Sequence, residues 1–338
     1  MKEVDYLMFY PKKLNNGANI RVIAPSRSLS MISQDCINRA IKRLEKDFKF
    51  NVTFSKHCYE KNEFVSSSIE HRIEDLHEAF EDKKIDGILT AIGGYNTNQL
   101  LEYIDFDLIK KNPKVFCGFS DITCLAHAIT SQTGMVTYSG PHFSTFGMEK
   151  GLEYTVDYFR RCLLLKEKYE IIPSDTFSDD PWYLNQKNRK FIRNLGWNVI
   201  HDIPPEGIQG QLYGGNLTAL TSLQGTAYYP KINRSILFIE DTEAISPCNF
   251  DRLLQTLLIQ SNFKSIKALL IGRFQLRSGM NENLLKEIIH IKKKLQGIPV
   301  ISNVDFGHTT PICTYPIGGK VSLSKKMGKI CLTIKERE

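Results

Sequence analysis

The run Val115-Phe116-Cys117-Gly118-Phe119-Ser120-Asp121-Ile122-Thr123 sets one hydroxyl at a point where the chain changes direction. Residues 115–117 read as the end of a buried strand, Gly118 and Phe119 as a tight turn, and 122–130 resumes at helical spacing. A serine on a sharp strand-to-helix turn has its Oγ lifted out of the sheet. The backbone N–H that follows it is unpaired, at the positive end of a helix. That is half of an acyl-transfer site: Ser120 as nucleophile and the N–H of Asp121 as one donor to an oxyanion. Ile122 stands where the G-x-S-x-G elbow carries its second glycine, and a serine at a helix start is most often an N-cap. The weight of Ser120 therefore rests on its partners.

A hydroxyl nucleophile needs a base, and the base needs an orienting group. Of eight histidines, His71, His77 and His290 fall on predicted helices among charges and read as solvent-facing. His57 follows a strand, His127 lies in the helix after Ser120, and His201 sits in a turn-rich stretch. His142, in Ser139-Gly140-Pro141-His142-Phe143, competes for the role of base. His308 fits it better, in a loop after an apolar strand, with Gly307 before it and the small Thr309-Thr310 after it. Glu240 ends the apolar run 235–239, where a carboxylate is costly unless it is paired or faces a cleft. Asp241 and Glu243 are alternatives for the same role. Gly93-Gly94 closes the run 85–91 and reads either as a turn requiring positive φ or as bare backbone offering a second oxyanion donor.

These residues need elements to hold them. Apolar β-rich runs at 19–24, 50–54, 85–91 and 115–117 alternate with helical spacing at 34–44, 66–82, 97–104 and 122–130. Alternation of this kind predicts a parallel sheet with helices on both faces and functional residues at the strands' carboxyl ends, where Ser26, Gly93-Gly94 and Ser120 fall. Periodicity fades over 166–208, a stretch of turn-formers and aromatics that holds both tryptophans, Trp182 and Trp197. Long ordered connections tend to be lids or binding loops, so Trp182 reads either as packing or as an aromatic wall for a substrate group. From Gln209 a second α/β unit begins: Gly214-Gly215-Asn216, a helix, the strand ending at Glu240, helices at 250–260 and 282–295, strands at 267–272 and 299–302, and a closing hairpin at 321–334. The expected organisation is an N-terminal nucleophile domain (1–165), a linker and substrate-binding loop (166–208), and a smaller, β-rich C-terminal domain (209–338) carrying the base and its carboxylate. The active site is expected at their interface.

Composition narrows the function classes. The 338 residues are 42% hydrophobic and 24% charged, which is ordinary for a globular protein and excludes disordered and fibrous classes. The net charge of +7 comes largely from lysine runs on amphipathic segments, with no aromatic-interleaved basic stripe, so no nucleic-acid partner is expected. Eight singly scattered cysteines without CxxC spacing read as reduced thiols, and no apolar run reaches membrane length. A cytoplasmic protein without a membrane partner is expected. Neither a G-x-G-x-x-G nor a P-loop pattern occurs, and no metal or organic cofactor is expected.

The runs 93–101, Asn112-Pro113-Lys114, 118–123 and Thr137-Tyr138-Ser139-Gly140-Pro141 together resemble the LD-carboxypeptidase family of serine peptidases, and within it the microcin C immunity peptidases. The resemblance spans nearly the whole chain, from Ala24-Pro25-Ser26 through 237–241 to Gly307-His308. It implies a Ser-His-Glu triad at Ser120, His308 and Glu240, with oxyanion donors from Asp121 and the Gly93-Gly94 pair, Gly94 being the expected one. It also implies nucleotide contacts from Trp182, by stacking, and from Asn216, with Gly93 beside the substrate. The substrate implied is an acyl-nucleotide whose amide is cleaved, or alternatively a murein tetrapeptide losing its terminal D-amino acid. A non-catalytic protein that sequesters an acyl-nucleotide is the reading from another class. A homodimer is expected by the same resemblance.

Overall fold

A computed structural model describes residues 8–260, 263, 265–326 and 328–335. The N-terminal half alternates β1 (Asn19–Ile23), α1 (Gln34–Phe48), β2 (Asn51–Phe54), α2 (Ile69–Glu81), β3 (Gly87–Thr90), α3 (Phe106–Lys111), β4 (Val115–Gly118), α4 (Ile122–Thr133), β5 (Thr137–Ser139) and α5 (Glu153–Leu163). Local chemistry sets the helix starts: the side chains of Ser33, Ser68 and Asp105 accept from backbone N–H groups in the first turns of α1, α2 and α3. The strands β2-β1-β3-β4-β5 pair in parallel, and the buried runs of β3 and β4 match strands covered on both faces.

The next stretch contributes β6 (Tyr169–Ile171), β7 (Thr176–Phe177), β8 (Ile192–Arg193) and β9 (Asn198–His201). The C-terminal half adds β10 (Ile208–Asn216), α6 (Leu217–Thr221), β11 (Ile236–Glu240), α7 (Pro247–Leu258), β12 (Ala268–Gly272), α8 (Glu282–His290), β13 (Val300–Val304), β14 (Tyr315–Ile317), β15 (Lys320–Lys326) and β16 (Lys329–Ile334). The second sheet runs β6-β16-β15-β10-β11-β12-β13-β9, parallel across β10 to β13 and antiparallel at both flanks. The fold is thus α/β, as expected, with two large sheets and a separate two-stranded ribbon of β7 and β8, and the 321–334 hairpin forms.

Two features depart from the linear reading. The stretch without periodicity supplies both edge strands of the second sheet, β6 and β9. Strands of three and four residues are too short to show a pattern, and β9 is half-buried throughout except at the exposed Val199. The chain also returns after β13 to lay β14 antiparallel on β5, so a C-terminal strand completes the N-terminal sheet. The expected helix over 282–295 ends at His290, and a separate 3₁₀ turn covers Lys293–Leu295. Between them Lys292 is buried and paired with Asp251. Among the described residues no helix is long and apolar enough to cross a membrane.

The seam between the sheets is α4, whose residues from Ile122 to Thr130 are all buried. A helix apolar all round belongs inside the protein rather than on one of its faces. Its outer side meets β10 through backbone: His127 Nε2 donates to the Gly214 carbonyl at 2.7 Å, and the Asn216 N–H donates to Thr123 Oγ1 at 3.0 Å. Burial, only partly offset by that carbonyl, pushes the His127 imidazole down to about 4, so it is the neutral ring that donates. Gly214 and Gly215 hold φ of +135° and +140°, and a Cβ would lie 1.7 Å from the Phe238 carbonyl oxygen and 2.5 Å from Thr123 Oγ1, respectively. Glycine is required at both for space as well as for φ. Gly214→Ala is expected to cost at least ~3 kcal/mol from combined overpacking and left-handed strain. Urea unfolding measures it, and an unchanged midpoint would contradict this account of the seam.

Candidate active site

Ser120 has φ +62°, a left-handed conformation uncommon for a residue other than glycine. It does not cap α4 with its side chain: only its carbonyl is engaged there, accepting from the Thr123 N–H at 2.9 Å. The elbow needs glycine at one position only. A Cβ on Gly118 would fall 2.2 Å from Thr90 Oγ1 and 3.1 Å from Ile122 Cγ2. Ile122 itself points into the core, fully buried, so its bulk closes the turn from beneath. The isoleucine that breaks the motif is therefore compatible with the geometry.

The side chains of Ser120, His308 and Glu240, set apart by sequence, lie in one chain of contacts. Ser120 Oγ is 3.0 Å from His308 Nε2, and His308 Nδ1 is 2.6 Å from Glu240 Oε2. The His308 side chain is 18% exposed and that of Glu240 4%, so solvent reaches the imidazole but scarcely the carboxylate. Glu240 ends β11 in register with Asn216 at the end of β10. Asn216 Nδ2 donates to Glu240 Oε1 at 3.3 Å and to Asp241 Oδ1 at 3.1 Å, while its Oδ1 accepts from the Ala219 N–H and caps α6. Asp241, the alternative carboxylate, is occupied by the Thr218 N–H and hydroxyl at 3.0 and 2.7 Å. Gly307, at φ +104°, lets the His308 loop touch Glu240, since a Cβ there would lie 2.8 Å from Glu240 Oε2.

The His308 loop is anchored by an ion pair that the sequence reading missed. Asp305 is completely buried and accepts from Arg273 at 2.8 Å, from Trp197 Nε1 at 2.9 Å, and from Ser174 Oγ and N–H at 2.6 and 3.0 Å. A charged residue directly after the apolar strand β13 was the available signal, because a buried carboxylate requires partners. Trp197 thus braces the His308 loop from inside the stretch expected to be a linker. Ser178 and Thr310 add a two-hydrogen-bond bridge between the same segments, at 2.7 and 2.9 Å.

The donors expected for an oxyanion flank Ser120. A Cβ on Gly93 would be 3.1 Å from Ser120 Oγ, and one on Gly94 would be 2.2 Å from Ser26 Oγ, so both positions require bare backbone. The Gly93 carbonyl accepts from the Arg27 N–H at 3.4 Å. In a trans peptide the adjoining Gly94 N–H points the opposite way. The Ser120 carbonyl is directed along α4, so the Asp121 N–H points back out of the helix start. Asp121 is fixed by Ser26 Oγ at 2.6 Å and by the Thr97 N–H at 3.0 Å.

Gly94, Ser120, Asp121, Asn216 and Asp241 line one cavity of about 520 Å³, whose far wall includes Arg252. Trp182 is not among its lining residues: it is half-buried against the core, edge-on to Tyr183 at 6.0 Å. Among the described residues, His57, Glu60 and His71, on other elements, bring three possible metal-ligand atoms within 4.8 Å of one another. His142, the competing base, is buried with Nδ1 on Thr90 Oγ1 at 2.7 Å and its ring 4.4 Å from Phe119. Burial, with the neighbouring His308, pushes it down to about 3, so it stays neutral.

A hydroxyl on an exposed elbow, touching an imidazole that is backed by a carboxylate, defines the serine hydrolase class of site. Residues 20–140 match the LD-carboxypeptidase N-terminal domain and residues 209–323 the LD-carboxypeptidase C-terminal domain. The chain belongs to this family of serine peptidases. YocD of Bacillus subtilis (strain 168), a carboxypeptidase by provisional name, is 49% identical over 92% of this chain and 94% of its own length. The "Probable murein peptide carboxypeptidase" of the same organism is 30% identical over 96% and 94%. Among solved structures, an MccF-like protein from Bacillus anthracis str. Ames superposes with a TM-score of 0.94 at 49% identity, covering 97% of this chain and 99% of that one. MccF in complex with glutamyl sulfamoyl guanosine gives a TM-score of 0.86 at 26% identity, covering 98% and 99%.

Burial works against charge on His308, but Glu240, with Asp241 and Glu243 behind it, outweighs burial and raises the imidazole above its ordinary 6.5. Only the neutral ring accepts a proton, so kcat/KM is expected to fall as pH drops through a midpoint above 6.5. Glu240→Gln removes the raising charge; the acid limb is expected to move to lower pH and the rate to fall by about 10⁴. A pH–rate profile reads both effects, and an unmoved limb would show that Glu240 does not govern the imidazole.

Proposed function

We propose that the chain is a serine amidohydrolase in which Ser120 attacks, His308 relays the proton and Glu240 orients the imidazole, and that it cleaves the amide between an aminoacyl or peptidyl group and a nucleotide. The observation that carries the catalytic part is the continuous contact from Ser120 Oγ through His308 to Glu240. Ser120 Oγ bonds to the acyl carbon while its proton passes to His308 Nε2. The carbonyl oxygen takes the negative charge and is held by the N–H groups of Asp121 and Gly94. Collapse of this intermediate expels the nucleotide-bearing nitrogen, which receives the proton from His308. Water then enters and gives a proton to His308 Nε2 as its oxygen bonds to the acyl carbon; the bond to Ser120 Oγ breaks, the carboxylate leaves, and His308 returns the proton to Ser120 Oγ. Losing one oxyanion donor typically costs about 2.7–4 kcal/mol of barrier.

The acyl-nucleotide substrate is supported by the likeness to MccF bound to glutamyl sulfamoyl guanosine and by a cavity beside Ser120 large enough for a nucleotide-sized group. Removal of a toxic aminoacyl-adenylate mimic is the biological role that follows. A second reading, release of a terminal D-amino acid from a murein tetrapeptide, has its own support. Trp182 does not line the cavity, so no tryptophan platform for a base stands there, and one relative carries a murein peptidase name. As part of the same proposal, the chain works as a homodimer in the cytoplasm, with 1–165 as nucleophile domain, 209–338 as the domain of His308 and Glu240, and 166–208 joining them.

Equal concentrations of an aminoacyl sulfamoyl adenosine and a muropeptide tetrapeptide, followed by mass spectrometry, separate the readings. Faster release of the free amino acid from the nucleotide is expected, and preferential release of D-alanine would overturn the substrate assignment. Ser120→Ala is expected to lower turnover on the order of 10⁶-fold while leaving calorimetric nucleotide binding nearly intact. A variant with undiminished turnover would overturn the triad.

A further inference from the structure

The loop after β2 and the first turns of α2 carry a side-chain cluster that the proposed mechanism leaves unused. The sequence repeats a His-x-x-Glu unit there: His57-Cys58-Tyr59-Glu60 on the loop and His71-Arg72-Ile73-Glu74 at the helix start. The two units cross. His57 Nδ1 lies 2.7 Å from Glu60 Oε1, and His71 Nδ1 lies 2.6 Å from Glu60 Oε2. His57 Nε2 lies 3.1 Å from Glu74 Oε2. One ligand atom each from His57, Glu60 and His71 falls within 4.8 Å of the others. The His57 side chain is 4% exposed, whereas His71 and Glu60 are 44% and 46% exposed, so one ligand is rooted in the protein and two are open to solvent.

We propose that His57, Glu60 and His71 form a binding site for a divalent transition-metal ion of the zinc class, with Glu74 orienting His57 and water completing the shell. Two imidazole nitrogens and one carboxylate suit zinc and its neighbours, whereas magnesium and calcium favour all-oxygen shells. The ion replaces the two protons shared between the imidazoles and Glu60. The His57 Nε2–H on Glu74 is then the carboxylate–histidine contact that fixes the tautomer of a metal-ligating ring. Both oxygens of Asp75 hold the His57 backbone N–H at 3.2 Å, and Lys56 neutralises the other oxygen of Glu74 at 3.2 Å.

The rings of His57 and His71 stack at 3.9 Å and 15°. A metal lies in the plane of each ligand ring, so the solvent-facing His71 tilts off the buried His57 when the ion enters. The ion would clip the loop to α2. Through Cys58 and Val65, whose carbonyls accept from the Leu29 and Ser28 N–H groups at 2.9 and 2.8 Å, it would brace the segment that carries Ser26 behind the oxyanion donors. The site touches no reacting atom. Because the ion displaces protons, its affinity rises with pH.

Full-length protein stripped with a chelator and titrated with Zn²⁺ by calorimetry tests the site, with Co²⁺ absorption reporting coordination geometry. One equivalent is expected at about pH 7.5, binding at least tenfold weaker at about pH 6, and tetrahedral Co²⁺ bands. His71→Gln and Glu60→Gln, both at solvent-reachable positions and checked for fold by circular dichroism, are each expected to weaken binding at least tenfold. His77→Gln, on the same helix but outside the cluster, is expected to leave it unchanged. No binding at millimolar Zn²⁺, or a loss below tenfold in both cluster variants, overturns the proposal.

Discussion

The β10 chain runs against the Phe238 backbone at Gly214 and against the Thr123 side chain of α4 at Gly215, and neither approach leaves room for a Cβ. At Gly215 the β10 chain lies against Thr123 of α4, and one residue on, the Asn216 N–H is held by the same threonine. The helix that begins one residue after Asp121 is thereby docked on the strand whose neighbour ends in Glu240. Widening the seam by about 1 Å would take Ser120 Oγ out of hydrogen-bonding range of His308 Nε2, which it meets at 3.0 Å. Packed interiors of native density transmit such shifts instead of absorbing them.

The remaining parts serve the same alignment from other directions. Arg273 and Asp305 form a pair in the interior, where an isolated charge would be prohibitive, and the pair is complete only with Trp197 and Ser174 from the central stretch. That stretch also hydrogen-bonds to Thr310, two residues past His308. On the nucleophile side, Ser26, Asp121 and Thr97 tie three strand ends together, and the buried Arg72 adds bonds to the Pro25 and Asn96 carbonyls. The loops that carry Ser120 and His308 are thus each held by a polar contact to an element far away in sequence.

Much of this was legible in the order of residues. The elements with clear period, such as α1, α2, β3 and β11, form where the pattern places them; Ser120 and Glu240 stand at the ends of apolar runs and His308 in a glycine-flanked loop, but His142, Asp241 and Glu243 compete with them until the family resemblance singles out the set. What stayed hidden was whatever depends on partners remote in the chain. β6 and β9 are too short for a pattern, and β14 changes sheets for reasons no local window contains. Asn216, expected beside a substrate, lines the cavity, and the engagement of its amide with Glu240 and Asp241 is what no local window could show. Trp182 looked like an aromatic wall because of its loop, whereas Trp197, which looked incidental, holds the aspartate behind the His308 loop.

The central claim is that His308, kept in place by Glu240, activates the hydroxyl of Ser120. Labelling with a fluorophosphonate, followed by peptide mass spectrometry, tests it most directly, since the probe reacts with an activated serine irrespective of the natural substrate. The account predicts one adduct, on Ser120, formed rapidly in the parent protein and lost in His308→Ala. An adduct on another residue, or equal labelling in the histidine variant, would contradict it.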